Sequence, residues 1–149
     1  MGMNVTVDTK EYISNLKQLL QEGHEVVITI AGWSMEPFLR NGRDQVLLKK
    51  PAQPPIPGDI VFYQRKTGQY VLHRIHKKAQ DEYYLLGDRQ VELEGPLEED
   101  VIFAVVTEVK RGRRWISAEA PLWKAAGSLW RKMYPIRKLA FAAKRAIRK

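Results

Sequence analysis

Residues 58–75 read GDIVFYQRKTGQYVLHRI and decide the fold class. Two short apolar runs, Asp59–Tyr63 and Tyr70–Ile75, flank the polar segment Lys66–Gln69, which contains a glycine. Runs of β-branched and aromatic residues of this length are typical of strands, and a short connection with a glycine is typical of a hairpin. The segment therefore predicts two antiparallel strands joined by a tight loop.

Similar runs before and after this hairpin predict the rest of a sheet. They are Val26–Ile30, Gln45–Lys49, Glu82–Leu86 and Val101–Val109. The four prolines within residues 51–58 exclude a helix interior or a central strand at that point. Six short strands at this spacing predict a mainly β fold, which is a small coiled antiparallel sheet or barrel.

A helix is predicted on the N-terminal side of the sheet. Asp8–Gln21 carries apolar residues at three- and four-residue steps, which is typical of an amphipathic helix. Asp8 is a suitable N-cap, and Glu11 follows at the spacing of a capping box. With the tail described next, the chain has three expected regions, namely an N-terminal helix (1–25), a β-domain (26–119) and a basic helical tail (120–149).

The tail differs from the rest of the chain in charge. The 149 residues include 25 basic and 17 acidic side chains, a net charge of +8. Residues 120–149 hold nine of the basic residues and no acidic one, so the remainder is nearly neutral. Apolar stripes run from Leu122 to Met133 and from Ile136 to Ile147, and Pro135 breaks or kinks the chain between them. We expect two amphipathic helices, the first packed on the sheet and the second at an anionic membrane surface.

The composition excludes several kinds of site. The chain has no cysteine, which rules out a disulfide scaffold, thiolate metal sites and a cysteine nucleophile. His73 and His76 are three residues apart on one predicted strand, so they point to opposite faces and form a poor metal pair. The longest apolar stretch, Val26–Trp33, is far shorter than the roughly 20 residues of a membrane span. We expect no metal, no cofactor and no membrane anchor.

Ser34 stands out among the possible nucleophiles. It follows a predicted strand within Gly32–Pro37, and such a strand-end turn can expose the hydroxyl together with its own N–H. Taken alone, this serine is more simply an ordinary turn residue. The order of further motifs changes that interpretation, because Ser34-Met35-x-Pro37 is followed by Gly58–Val61, then Leu72–Ile75 and then Leu86–Asp88.

This order of motifs resembles the superfamily of signal peptidases and LexA-type repressor peptidases, which are serine endopeptidases with an all-β fold. The resemblance covers about residues 26–110 and implies that Ser34 is the nucleophile. Where bacterial leader peptidases and LexA proteins have a lysine as general base, this chain has His73. It therefore resembles the Ser–His subtype of the endoplasmic-reticulum-type signal peptidases.

The resemblance also implies how the site works. The neutral imidazole of His73 would take the serine proton, so activity is expected to rise through a pKa near 6–7. Backbone N–H groups at Ser34 and Gly32 are the expected donors to an oxyanion. Met35 and Pro37, on either side of Glu36, are the expected contacts to substrate.

A third residue should orient the imidazole of His73. The candidates are Asp88, Glu94 and Glu92, and Asp88 is equally suited to capping a turn. If none of them serves, the site is a Ser–His dyad.

Two features of the similar proteins have no counterpart in this sequence, namely the membrane anchor of signal peptidases and the DNA-binding domain of LexA-type repressors. We therefore expect a free-standing bacterial-type peptidase that cleaves a peptide or protein precursor. Its expected location is the cytoplasm, with peripheral contact at the inner face of the cell membrane. The alternative is a non-catalytic β-domain that binds anionic membrane or nucleic acid through residues 120–149.

Overall fold

The computed structural model describes residues 2–4 and 10–148, and side chains within residues 15–146. The helices are α1 (Lys10–Gln21), α2 (Pro121–Lys132) and α3 (Tyr134–Arg148), and a short 3₁₀ helix covers Glu99–Val101. The strands are β1 (Gly2–Asn4), β2 (Val26–Thr29), β3 (Gln45–Lys49), β4 (Ile60–Gln64), β5 (Tyr70–Ala79), β6 (Glu82–Leu86), β7 (Glu94–Glu98), β8 (Ile102–Arg111) and β9 (Arg114–Ser117). The predicted N-cap Asp8 and the side chain of Glu11 lie outside the described residues.

The nine strands form one sheet. Their order is β1-β2-β3-β8-β4-β5-β6-β7, and β9 pairs with β8. Strands β1 and β2 are parallel, and the other pairs are antiparallel. In the described part of the chain the two ends of this order, β1 and β7, are not joined. The predicted mainly β fold is therefore confirmed, as an open sheet and not as a closed barrel.

All six predicted strands are present, and one of them is longer than expected. Strand β5 continues past Ile75 to Ala79, because a bulge between Ile75 and Lys77 lets its pairing with β6 resume. Strands β1, β7 and β9 were not predicted. The residues of β7 and β9 are exposed or half-buried, so these strands lack the buried apolar pattern that marks the others.

Strand β4 is buried on both faces and separates two apolar clusters. Ile60 and Phe62 join a cluster with α1, β2 and β3, whereas Val61 and Tyr63 join a second cluster with β5 and β6. Because side chains alternate along a strand, this two-sided burial explains the unbroken apolar run at the centre of the sheet. His73 pairs with Val61 across the β4–β5 ladder.

Helix α2 packs on the core with one face. Its Trp123 and Trp130 meet Phe38 edge-on, with ring centroids 5.6 and 5.9 Å apart. Pro121 opens the helix, where its missing N–H costs nothing. Among the described residues, no helix is long and apolar enough to cross a membrane.

Candidate active site

Ser34 lies in the loop that follows β2, and several contacts fix this loop. Gly32 adopts a φ of +98°, a left-handed conformation that favours glycine, and its N–H donates to Asn41 Oδ1 at 2.8 Å. The Met35 carbonyl accepts the N–H of Leu39 at 2.9 Å, and both of these side chains are buried. The hydroxyl of Ser34 is therefore presented from a turn anchored on both sides.

A second contact reaches this loop from the Gly87-Asp88 motif. The N–H of Arg89 donates to the carbonyl of Ser34 at 2.8 Å. A Cβ at Gly87 would lie only 2.7 Å from the same carbonyl oxygen, so the two segments approach too closely for a side chain at this position. The glycine of this motif is thus explained by its packing against the Ser34 loop.

The structure brings His73 into hydrogen-bond contact with Ser34. His73 Nε2 lies 3.2 Å from Ser34 Oγ, although the two residues are 39 positions apart in sequence. The imidazole is 2% exposed, and it reaches the serine from the centre of β5. A nucleophile and a base at this distance form the arrangement that serine hydrolases need.

The other ring nitrogen of His73 contacts a tyrosine. His73 Nδ1 lies 3.1 Å from the hydroxyl of Tyr63, which is fully buried on the neighbouring strand β4. Tyr63 is not among the site residues predicted from the sequence. A signal was present, because in a β4–β5 hairpin these two residues are diagonal neighbours, two pairs apart in the ladder, and therefore lie on the same face of the sheet.

Asp88, the first candidate to orient the imidazole, is engaged elsewhere. Both of its carboxylate oxygens accept hydrogen bonds from Arg74, each at 2.8 Å, and both side chains are buried. The side chain of Arg74 leaves β5 on the face opposite to His73, because the two residues are adjacent in the strand. In this structure Asp88 therefore belongs to a buried ion pair, and Tyr63 occupies the position at Nδ1.

Glu94 lies close to the site without forming the predicted bond to His73. Its carboxylate accepts two hydrogen bonds from Arg65 Nε, at 3.0 and 3.1 Å, and Arg65 Nη2 lies 2.8 Å from Oε1. Burial raises the pKa of the Tyr63 hydroxyl, and the charge of Glu94 raises it further. Glu92, the third candidate, is exposed.

The environment of His73 keeps the imidazole neutral. Burial lowers its pKa to about 4, the positive charge of Arg65 acts in the same direction, and Glu94 opposes both. The ordinary value near 6.5 that the sequence analysis assumed is therefore wrong for this site. A neutral imidazole at neutral pH is the form that can accept a proton.

A cleft of about 290 Å³ opens beside the pair. Apolar side chains of β2, β4 and β5 line it together with the polar groups of Ser34, His73 and Gln90. Met35 lines the cleft, but its side chain is 2% exposed and belongs mainly to the core. Pro37 is exposed and is not part of this lining, and its contact to substrate stays a prediction. The N–H of Gly32 donates to Asn41 Oδ1 in this structure, so it is not available there as the predicted donor to an oxyanion.

The comparisons with known proteins agree with this architecture. A family model described as Peptidase S24-like matches residues 1–90, which include β1 to β6, Ser34 and His73. A search of curated proteins finds no match to the chain. Because the matched part covers well over half of the 149 residues, the chain belongs to the Peptidase S24-like family.

Proposed function

We propose that the protein is a serine endopeptidase that cleaves a peptide or protein precursor, with Ser34 as nucleophile and His73 as general base. The observation that carries this proposal is the 3.2 Å distance between Ser34 Oγ and His73 Nε2. The membership of the chain in the Peptidase S24-like family supports a serine peptidase.

The positions of the hydrogens on the ring nitrogens of His73 are consistent with this role. For Nε2 to accept the proton of Ser34, Nδ1 must carry the other ring hydrogen and donate it to the Tyr63 oxygen at 3.1 Å. The Tyr63 oxygen is then the acceptor in this bond, so the hydroxyl keeps its own hydrogen. Glu94 is the nearby anion whose charge raises the pKa of this hydroxyl. Tyr63 is thus a positioning residue that selects the tautomer of His73, as the carboxylate does in a Ser-His-Asp triad.

The reaction then follows the acyl-enzyme route. Ser34 Oγ forms a bond to the substrate carbonyl carbon while Nε2 of His73 takes its proton, and the carbonyl oxygen becomes an oxyanion. No acceptor in the described residues takes the N–H of Ser34, so this group is free to bind the oxyanion. His73 returns the proton to the leaving amine as the peptide bond breaks, and water then hydrolyses the ester with His73 again as base.

The cleft indicates the kind of residue that lies near the scissile bond. Ile30, Phe62 and Leu72 line it beside the reacting pair. Apolar walls favour an apolar side chain of the substrate, because its transfer from water is worth about 25 cal/mol for each Å² buried. We therefore propose cleavage next to an apolar residue in an extended segment.

A fluorophosphonate probe tests this proposal without knowledge of the substrate. Ser34 should react, and mass spectrometry of the labelled protein should locate the probe on its peptide. Labelling should disappear in Ser34→Ala and fall strongly in His73→Ala, and it should persist in Ser117→Ala, the matched control in β9. If the folded wild-type protein is not labelled, the site is not catalytic and the chain is a binding module.

A further inference from the structure

Helices α2 and α3 have two unlike faces. The inner face is held by hydrogen bonds to the loop after β6, where Trp130 Nε1 and Arg137 Nη1 donate to the Asp88 carbonyl at 2.8 and 2.9 Å. The Tyr134 hydroxyl donates to the Val91 carbonyl at 2.8 Å. These contacts fix which side of the helices turns away from the protein.

The outer face is apolar and exposed. Leu122, Leu129, Ile136 and Leu139, which we call the outer stripe, are 87%, 61%, 64% and 73% exposed. Apolar side chains exposed to this degree cover no part of the core. Exposed apolar residues in a contiguous patch, unlike single ones, indicate a contact surface.

The outer stripe has members on both helices. Leu122 and Leu129 are seven residues apart, which places them on the same side of α2, and Ile136 and Leu139 are three residues apart on α3. Helical hydrogen bonds bridge the junction, because Met133 N–H donates to the Leu129 carbonyl at 3.0 Å and Arg137 N–H to the Met133 carbonyl at 2.9 Å. The two helices are therefore joined directly by a turn at Met133, and each of them carries part of the stripe.

The side-chain charge of the two helices themselves has one sign. Residues 120–149 contain nine basic and no acidic side chains, and Lys132, Lys138 and Lys144 are exposed. A nucleic acid would use these lysines but would leave the leucines and Ile136 in water. A second copy of the same face would bring two cationic surfaces together, which electrostatic repulsion opposes.

We propose that the outer stripe and its flanking lysines dock the protein on a membrane that contains anionic lipid. The helices would lie in the plane of the surface, with the stripe at the boundary between headgroups and acyl chains and the lysines at the phosphate level. This orientation leaves the inner face free to keep its contacts to the Asp88–Val91 loop. The proposal does not depend on peptidase activity.

Vesicle flotation with the full chain measures this binding. The protein should float with vesicles of phosphatidylcholine that contain about a quarter phosphatidylglycerol, and much less with phosphatidylcholine alone. Raising the salt from about 0.1 M to about 0.5 M should weaken binding, because the ions screen the lysines. Failure of the wild-type protein to bind the anionic vesicles would overturn the proposal.

Two pairs of variants separate the apolar and the ionic contributions. Ile136→Ser with Leu139→Ser should lower the partition coefficient by roughly tenfold or more, whereas Leu19→Ser with Ile56→Ser, which are exposed apolar residues elsewhere, should leave it unchanged. Lys132→Gln with Lys144→Gln should lower it by a similar factor. The matched exposed pair for charge is Lys49→Gln with Lys50→Gln.

Other occupants of this face predict different results. If Ile136→Ser with Leu139→Ser converts a dimer into a monomer in light scattering while vesicle binding is unaffected, the face joins two copies and the proposal is wrong. The proposal is also wrong if the protein binds an oligonucleotide and does not bind vesicles. In that case the binding of the oligonucleotide should depend on the lysines but not on the outer stripe. An unchanged circular dichroism spectrum shows that each variant is folded.

Discussion

The pH dependence of Ser34 reactivity should reveal how deeply His73 is buried. Only the neutral imidazole can take the serine proton, so the rate of fluorophosphonate labelling should follow the neutral fraction of His73. With a pKa of about 4, roughly 90% of the imidazole is neutral at about pH 5, whereas a value of 6.5 would leave roughly 3% neutral. We therefore expect labelling to be nearly constant from about pH 8 down to about pH 5 and to fall only below that.

Two variants test the causes of this low pKa, and we expect them to shift it in opposite directions. The charge of Arg65 lowers the pKa of His73 and that of Glu94 raises it. Arg65→Gln should therefore move the acid limb of the profile to higher pH, and Glu94→Gln should move it to lower pH. His76→Ala is the matched control, because the His76 ring packs against Tyr134, 4.7 Å between centroids, and not against Ser34.

Specific outcomes would refute this reasoning. An acid limb centred near pH 6.5 would show that the imidazole is not held neutral by burial. A limb above about pH 8 would indicate a lysine as the base. If Arg65→Gln and Glu94→Gln shift the limb in the same direction, the electrostatic account of the site is wrong.

The same pKa also enters the stability of the fold. The unfolded chain binds a proton at His73 near pH 6.5, and the folded protein does so only near pH 4. Stability from this residue is therefore complete above pH 6.5 and is lost as the pH falls towards 4, by about 3 kcal/mol in total. Urea unfolding at several pH values should show a smaller acid loss for His73→Gln than for the wild type by about that amount.

Three further substitutions test the surroundings of the pair. Tyr63→Phe removes the acceptor at His73 Nδ1 and should slow labelling of Ser34 roughly five- to hundredfold, an effect that should vanish when His73 is already alanine. Arg74→Ala leaves the buried carboxylate of Asp88 unpaired and should lower the free energy of unfolding by about 3–5 kcal/mol in urea. Gly87→Ala places a Cβ 2.7 Å from the Ser34 carbonyl oxygen and should lower both the labelling rate and the thermal transition, whereas Gly112→Ala on the β8–β9 turn should lower only the latter.

The central strands could be predicted from the sequence because buried strands consist of recognisable runs of apolar residues. Strand β4 is covered on both faces and reads as an unbroken apolar run, and β5 follows after a short loop. The side chains of strands β7 and β9 are exposed or half-buried, so these strands have no such apolar run. Their pairing depends on the backbone of β6 and β8, which no local pattern of side chains reveals.

The sequence predicted that Ser34 and His73 belong together, and the structure places them in contact, but the neighbour at the other ring nitrogen of His73 was not predicted. The order of motifs singled out Ser34 and His73, since Ser34 follows strand β2 and His73 lies within strand β5, and both strands have a recognisable apolar pattern. The partner of an acidic residue depends on which basic side chain the fold places next to its carboxylate. Arg74 forms an ion pair with Asp88, and Arg65 forms one with Glu94. These pairs are determined by the faces of the strands and the paths of the loops rather than by the spacing of the residues in the sequence.

The support of the Ser34 loop extends beyond the part of the chain that matches the family model. Trp130 and Arg137 lie after residue 90 and both donate to the carbonyl of Asp88. The next residue, Arg89, donates its N–H to the carbonyl of Ser34. One peptide segment thus connects the inner face of α2 and α3 to the Ser34 loop. The helical tail is therefore connected to the Ser34 carbonyl through three hydrogen bonds, and in this sense it is structurally a part of the candidate active site.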